Sequence, residues 1–180
     1  MKSEFISKYF YYFLKFILLF DGSEAMTETR KRKEVLVNKM RQICGGNRLS
    51  SADSRFSELV EDIDKLVNEN GSLEDLDFDY SAFIESVNID DEASPINQYF
   101  FYFLKFYVLF NNPEHIKVNY DKKKEYDNKM TKIATEDKLK EIDQRFIEMV
   151  WDMDYEITTN HGVHLIIQNY KDFINKYEPK

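Results

Sequence analysis

The chain has 180 residues and a formal net charge of -8, with 43% hydrophobic and 32% charged residues, which is ordinary for a folded protein. This excess of acid argues against a general binder of nucleic acid or of anionic membranes, because both need surplus Lys and Arg to neutralise phosphate. With 5 Gly, 3 Pro and 1 Cys, the chain has little turn chemistry, no internal disulfide and no cysteine-based zinc site, so we expect a helical protein in the reducing cytoplasm.

A shift of 90 residues aligns the chain with itself without a gap. About 30% of the paired positions are identical, against roughly 6% expected by chance. The longest match joins 12–16 to 102–106, where both segments have the sequence Tyr-Phe-Leu-Lys-Phe. The sequence therefore predicts a tandem duplication, with helical repeat 1 at 1–88, a linker at 89–97 and helical repeat 2 at 98–180.

The first predicted helix of each repeat is an apolar run, at 9–20 and at 99–110. The first run imitates a signal peptide, but the second lies in the middle of the chain, where no signal peptide can act. Each run is about 12 residues long and contains a lysine, whereas roughly 20 apolar residues are needed to cross a bilayer. We expect two central core helices, ending at 21–22 and at 111–112.

The second predicted helix begins at Ser23 in repeat 1 and at Asn112 in repeat 2, where Pro113 takes the first helical position. In repeat 1 it ends at 45–46, a pair of glycines. Its apolar face is expected to contain Leu36, Met40 and Ile43 in repeat 1, and Tyr126, Met130 and Ile133 in repeat 2.

The third helix is predicted after 50–51, and Asn-Gly at 70–71 is its stop signal. Ser72 begins the fourth helix as a possible N-cap, with Asp75 at the capping-box position, and that helix is expected to bury Tyr80. Short connections favour antiparallel neighbours. The predicted fold class is all-α, with two tandem antiparallel four-helix bundles.

Arg55, Glu58 and Asp62 follow one another at spacings of three and four, so they share one edge of the third helix. The same set recurs as Arg145, Glu148 and Asp152. A carboxylate metal site or an acid/base pair is one interpretation. We favour an ion-pair cluster in which Arg55, with Lys15 or Lys39 from neighbouring helices, neutralises the acids, because neither repeat has the Glu-x-x-His motif of di-metal bundles.

His161 and His164 have a possible metal-ligand spacing, but repeat 1 has Gly71 and Glu74 at those places. Cys44 is replaced by an alanine in repeat 2, and the chain contains no phosphate-binding loop and no nucleophile elbow. The sequence therefore predicts no catalytic residue, no metal ligand and no cofactor, and the protein is not expected to be an enzyme.

Charge is distributed unequally between the repeats. Residues 53–90 contain 12 acidic and 2 basic residues, a balance of -10, whereas 143–180 contain 7 and 4, a balance of -3. A solvated helix face explains part of this excess, and a docking surface for a basic protein is the functional alternative. The predicted partner-binding residues are Glu69, Glu74, Asp75, Asp77, Asp79 and Tyr80.

A small, acidic, cysteine-poor helical unit of roughly 90 residues resembles the helical immunity proteins that neutralise bacterial nuclease toxins. Size, charge and pattern carry this resemblance over each repeat separately, and the duplication departs from that single-unit class. The resemblance implies an inhibitor of a basic toxin or nuclease domain, with no direct contact with nucleic acid or membrane. A structural or adaptor protein and a carboxylate metal enzyme are the alternatives; the oligomeric state stays open.

Overall fold

The structure is a computed structural model that describes residues 3–20, 26–110, 119–159 and 163–180. Within these ranges the side chains of 26–27, 75 and 77–78 are not described. All the regular secondary structure of the described residues is helical, with no β-strand among them, and no described helix is both long and apolar enough to cross a membrane. The chain divides into two compact units, unit 1 at Met1–Ala93 and unit 2 at Ser94–Lys180.

Each unit has four long helices and one four-residue helical turn among its described residues. Unit 1 contains α1 (Ser3–Phe20), α2 (Met26–Gly46), α3 (Leu49–Ala52), α4 (Arg55–Glu69) and α5 (Leu73–Ser86). Unit 2 contains α6 (Pro95–Phe110), α7 (Tyr120–Glu136), α8 (Leu139–Ile142), α9 (Arg145–Thr159) and α10 (His164–Lys176). The prediction of an all-helical chain is confirmed.

The short helix α3 separates two helices that the sequence predicted as direct neighbours. The predicted start of the third helix, at 50–51, lies inside α3, and α4 begins only at Arg55. Asp53 interrupts the helix with an extended backbone (φ -150°), and its carboxylate accepts hydrogen bonds from the backbone and guanidinium of Arg55. The predicted start was therefore wrong, because a local side-chain bond ends one helix and begins the next.

Two predicted boundaries fall where the structure gives partial information. The predicted starts at Ser23 and at 112–113 lie outside the described residues, which resume at Met26 and at 119. After α5 ends at Ser86 the next helix begins at Pro95, so the predicted linker at 89–97 includes the first three residues of α6.

Neighbouring helices run antiparallel within each unit, because contacts join the start of one to the end of the next. In unit 1 these contacts pair Lys33 with Phe20, Arg30 with Asn68, and Arg55 with Phe83. In unit 2 they pair Lys123 with Phe110, Lys124 with Asp154, and Arg145 with Phe173. Within each unit these contacts place the start of one long helix beside the end of a neighbouring one.

Helices α1 and α6 are buried on almost every side, which confirms the prediction of central core helices. The Tyr9 hydroxyl donates to the Phe56 carbonyl oxygen at 2.6 Å, and the Tyr99 hydroxyl donates to that of Phe146 at 2.7 Å. Each of these phenols is fully buried and needs a partner, and a backbone carbonyl in the first turn of α4 or α9 accepts its hydrogen bond on a second lone pair. Aromatic side chains therefore join the central helix to the third long helix in both units.

Candidate protein-binding surface

The turn between α4 and α5 places two carboxylates on the surface of unit 1. Helix α4 ends because Asn70 adopts the left-handed conformation (φ 51°), with its N–H donating to the Leu66 carbonyl. Helix α5 then begins after its N-cap Ser72, whose hydroxyl accepts from the Glu74 N–H at 3.4 Å, as the sequence predicted. Glu69 and Glu74 lie on the two sides of this turn, and both are exposed.

Tyr80 lies in the core. Its ring is 7% exposed, and its hydroxyl donates to Asp62 Oδ2 across the α4–α5 pair. Burial raises the pKa of Tyr80, and the bond to Asp62 and the charges of Glu58 and Asp79 raise it further. The Tyr80 ring is therefore part of the core and its hydroxyl is bonded to Asp62, while its inclusion among the partner contacts stays a prediction.

The described acids do not form one stripe along α5. Glu74 and Asp79 are five positions apart, so they point about 140° apart around the helix axis. The side chains of Asp75 and Asp77 lie outside the described residues. We use the term acidic corner for Glu69, Glu74 and Asp79, the exposed members of the predicted set whose side chains the structure describes.

The acidic corner differs from the neighbouring acids in its ion pairing. On the α2–α4 face, Arg41 pairs with Glu61 at 3.7 Å and with Asp64 at 3.3 Å. Among the residues that the structure describes, no cation pairs with a carboxylate of the acidic corner. Within the described ranges, these carboxylates therefore lack the neutralisation that Arg41 provides to Glu61 and Asp64.

Unit 2 repeats the geometry beneath the acidic corner but not its charge. The Tyr170 hydroxyl donates to Asp152 Oδ2 at 2.6 Å, as Tyr80 does to Asp62. The three positions of the acidic corner are occupied in unit 2 by Thr159, His164 and Asn169. The tyrosine–aspartate bond is thus common to both units, and the acidic corner belongs to unit 1 alone.

Arg55 forms its ion pair with Asp53 and, among the described residues, not with Glu58 or Asp62 as the sequence predicted, although the nearby charge of Glu58 helps to raise its pKa after the larger effect of Asp53. Its guanidinium pairs with Asp53 at 2.7 Å and lies 4.6 Å from the centre of the Phe83 ring. Asp62 instead accepts a hydrogen bond from the Tyr80 hydroxyl. Across the described ranges, no group of three or more His, Cys, Asp or Glu is arranged to hold a metal ion.

Asp143, the counterpart of Asp53, receives more bonds. It accepts from Arg145 at 2.6 Å, from Lys176 at 3.3 Å and from the Tyr177 hydroxyl at 3.1 Å. The hydrogen bond from Arg145 is the largest of the effects that hold the pKa of Asp143 well below its usual range.

We expect Asp143→Asn to lower the free energy of unfolding by about 1–3 kcal/mol at neutral pH, because charge-assisted hydrogen bonds are lost. The loss should be larger than for Asp53→Asn. A depressed carboxyl pKa stabilises the fold above the unfolded pKa of about 4, and this contribution is lost as the pH falls. Urea unfolding at neutral and at acidic pH measures both effects. Equal costs for the two variants would contradict the assignment.

The remaining predicted candidates show no functional arrangement. His161 lies outside the described residues, while His164 is exposed and shares a 3.0 Å hydrogen bond with Gln168. Cys44 is buried, and burial raises the pKa of its thiol, which makes it less reactive. Residues 30–33 of α2 are four consecutive basic residues, and the first of them, Arg30, bonds to Glu34 at 3.2 Å and so is partly neutralised within its own helix.

Two features of unit 2 were missed by the sequence reasoning. Asp127 and Glu156 are buried, at 3% and 6% exposure, where unit 1 has Val37 and Leu66. The second feature is an exposed aromatic pair on α9, Trp151 and Tyr155, where unit 1 has two charged residues. Comparing the repeats for differences in polarity, and not for identity, would have found both.

No protein-family model matches this chain, and neither a curated protein nor a solved structure matches it. Its function must therefore be argued from its own surfaces and charges.

Proposed function

We propose that this protein is a protein-binding inhibitor whose acidic corner blocks a basic, nuclease-like partner in the cytoplasm, as the helical immunity proteins do. The observation that carries this proposal is the exposure of Glu69, Glu74 and Asp79 without an ion pair to any described cation. Unpaired carboxylates at a helix–turn–helix corner attract a positively charged cleft and can occupy the place of phosphates. This role needs no cofactor and no catalytic group.

The same proposal includes the architecture. We propose that the chain is a tandem duplicate of one antiparallel four-helix bundle, with repeats at 1–88 and 98–180 and a linker at 89–97. Helix bounds support this, since α4 (Arg55–Glu69) and α9 (Arg145–Thr159) begin and end 90 residues apart. The repeats then share a core and differ in surface, and repeat 1 carries the acidic corner.

The test replaces the acidic corner by the residues that repeat 2 has at the same places, in the triple variant Glu69→Thr, Glu74→His and Asp79→Asn. Wild-type protein is used to capture its partner from the native host, and affinity is then measured by calorimetry. We expect the variant to bind at least tenfold more weakly, about 1.4 kcal/mol or more, because three carboxylates that would attract a basic partner are removed together.

The matched control removes three exposed carboxylates from unit 2, in the variant Glu136→Gln, Glu141→Gln and Asp172→Asn. This control should bind within about twofold of wild type. If the captured protein is acidic, or if the triple variant and its control bind equally, the acidic corner is not the inhibitory surface. If neither the triple variant nor the control changes the affinity, the alternative of a structural or adaptor protein is favoured.

A further inference from the structure

The outer face of α9 carries two large aromatic side chains that the core does not use. Trp151 and Tyr155 are each 60% exposed, and they lie one helical turn apart on the same side of the helix. Exposed Trp and Tyr are enriched at the centres of protein interfaces, where they account for much of the binding energy. We call this pair the α9 aromatic face.

Unit 1 shows that the fold does not require these rings. The positions of Trp151 and Tyr155 are occupied in unit 1 by Glu61 and Lys65. Arg41, which pairs with Glu61 in unit 1, is replaced by a threonine in unit 2. An ion-paired surface in one unit therefore corresponds to an aromatic surface in the other, and the difference spans two helices.

Carboxylates flank the α9 aromatic face. Glu148 precedes Trp151 by three positions and Asp152 precedes Tyr155 by three, so each acid lies one turn from a ring. Asp152 is exposed and uses one oxygen to accept from the Tyr170 hydroxyl, which leaves the carboxylate partly available. Aromatic rings beside carboxylates suit a side chain with an apolar stem and a cationic head, which describes arginine.

We propose that the α9 aromatic face docks an arginine-bearing helical segment of a protein partner. An apolar side chain of the segment packs on Trp151, and a guanidinium stacks on a ring while it pairs with Glu148 or Asp152. A second copy of this chain is a poor occupant, because a symmetric contact would bring identical acidic flanks together. The α9 aromatic face lies in unit 2, so this inference does not rest on the acidic corner.

The chain offers a direct reporter, because Trp151 is its single tryptophan. The probe is a helical peptide with leucine and arginine on one face, compared with a peptide that has glutamate in place of arginine. With the full-length protein, we expect the leucine–arginine peptide to shift Trp151 emission to shorter wavelength and to reduce its quenching by acrylamide. The glutamate peptide should do neither.

The matched variant is the double swap Trp151→Glu and Tyr155→Lys, which leaves the net charge unchanged and introduces the residues of unit 1. Calorimetry should show at least about a tenfold loss of affinity for the leucine–arginine peptide. Leu165→Gln removes an exposed apolar side chain from α10 without changing charge, and it should bind within about twofold of wild type. Circular dichroism of all three proteins checks that each is folded.

Three results would overturn the inference. The double swap could bind the peptide as wild type does, the glutamate peptide could bind as tightly, or sedimentation could show a dimer that the double swap dissociates. The last result would identify a second copy as the occupant. The triple variant of the acidic corner should bind this peptide normally, so failure of either proposal is recognised separately.

Discussion

Replacing Asp127 by valine is expected to stabilise the protein at about pH 8 by roughly 1–3 kcal/mol, although it removes a charged residue from an ion pair. Asp127 is 3% exposed in α7, and its Oδ2 accepts from Lys124 at 3.4 Å. Its other oxygen, Oδ1, has no hydrogen-bond partner among the described residues. Valine is the residue at the equivalent position of unit 1, where Val37 is equally buried.

The pH dependence follows from the raised pKa of this carboxyl. Burial raises the pKa of Asp127 from about 3.8 to about 6, and the nearby charge of Asp154 raises it while Lys124 lowers it. An acid with a raised folded pKa favours the fold in its protonated form, so stability is lost as the pH rises from about 4 through about 6. The full shift of the Asp127 pKa corresponds to a loss of at most about 3 kcal/mol in the free energy of unfolding.

Urea unfolding between about pH 4 and pH 8 measures this effect. The wild type should lose stability across that range, and Asp127→Val should remove this part of the pH dependence. Asp127→Asn, which keeps the shape and removes the charge, serves as the control and should flatten the profile as well. A valine variant less stable than wild type at about pH 8 would show that the Lys124 pair outweighs the cost of burial.

Phe146→Ala is expected to have the largest destabilising effect, about 3–5 kcal/mol, because it opens a cavity in a closely packed core. Phe146 is fully buried, and its ring lies 4.9 Å from Tyr99 and 4.9 Å from Phe173, measured between ring centres. Trp151 fluorescence follows the unfolding of unit 2 specifically, because no other tryptophan is present.

Phe56→Ala is the matched variant in unit 1, where Phe56 packs 5.1 Å from both Tyr9 and Phe83. Since the chain divides into two compact units, we expect this variant to leave the Trp151 transition in place and to lower stability in circular dichroism. Ile142→Ala, at an exposed position, should change the free energy of unfolding by less than about 0.5 kcal/mol, whether it is followed by Trp151 fluorescence or by circular dichroism. If both phenylalanine variants shift the Trp151 transition equally, the units unfold as one.

Local signals predicted much of this fold. The end of α4 at the Asn-Gly pair and the Ser72 cap of α5 both depend on residues close in sequence, and both were predicted. The break at Asp53 was not predicted. It is caused by a hydrogen bond that the Arg55 side chain donates to Asp53, and helical periodicity does not reveal where that side chain points. Periodicity alone gives a pattern of burial and not the partner of each charge.

The candidate surface was predicted less well, for the same reason. Helical spacing predicted that Tyr80 is buried, and the excess of charge nearby led to its inclusion among partner contacts; the structure supports the spacing. Trp151 and Tyr155 escaped notice because aromatic residues are common in this chain and their exposure depends on how α9 packs. Asp127 was missed because an acid within a charged helix stands out only when it is compared with its counterpart in the first half of the chain, Val37.

The central claim is that the acidic corner steers a basic partner into contact, and the association rate constant as a function of salt tests it most directly. For the captured partner, stopped-flow measurements from about 0.02 M to about 0.5 M NaCl should show the wild-type rate falling at least tenfold, because ions screen the attraction. The triple variant Glu69→Thr, Glu74→His and Asp79→Asn should associate slowly at low salt and respond weakly to added salt. A wild-type rate that is constant across this range, or matched by the triple variant at low salt, would contradict the account.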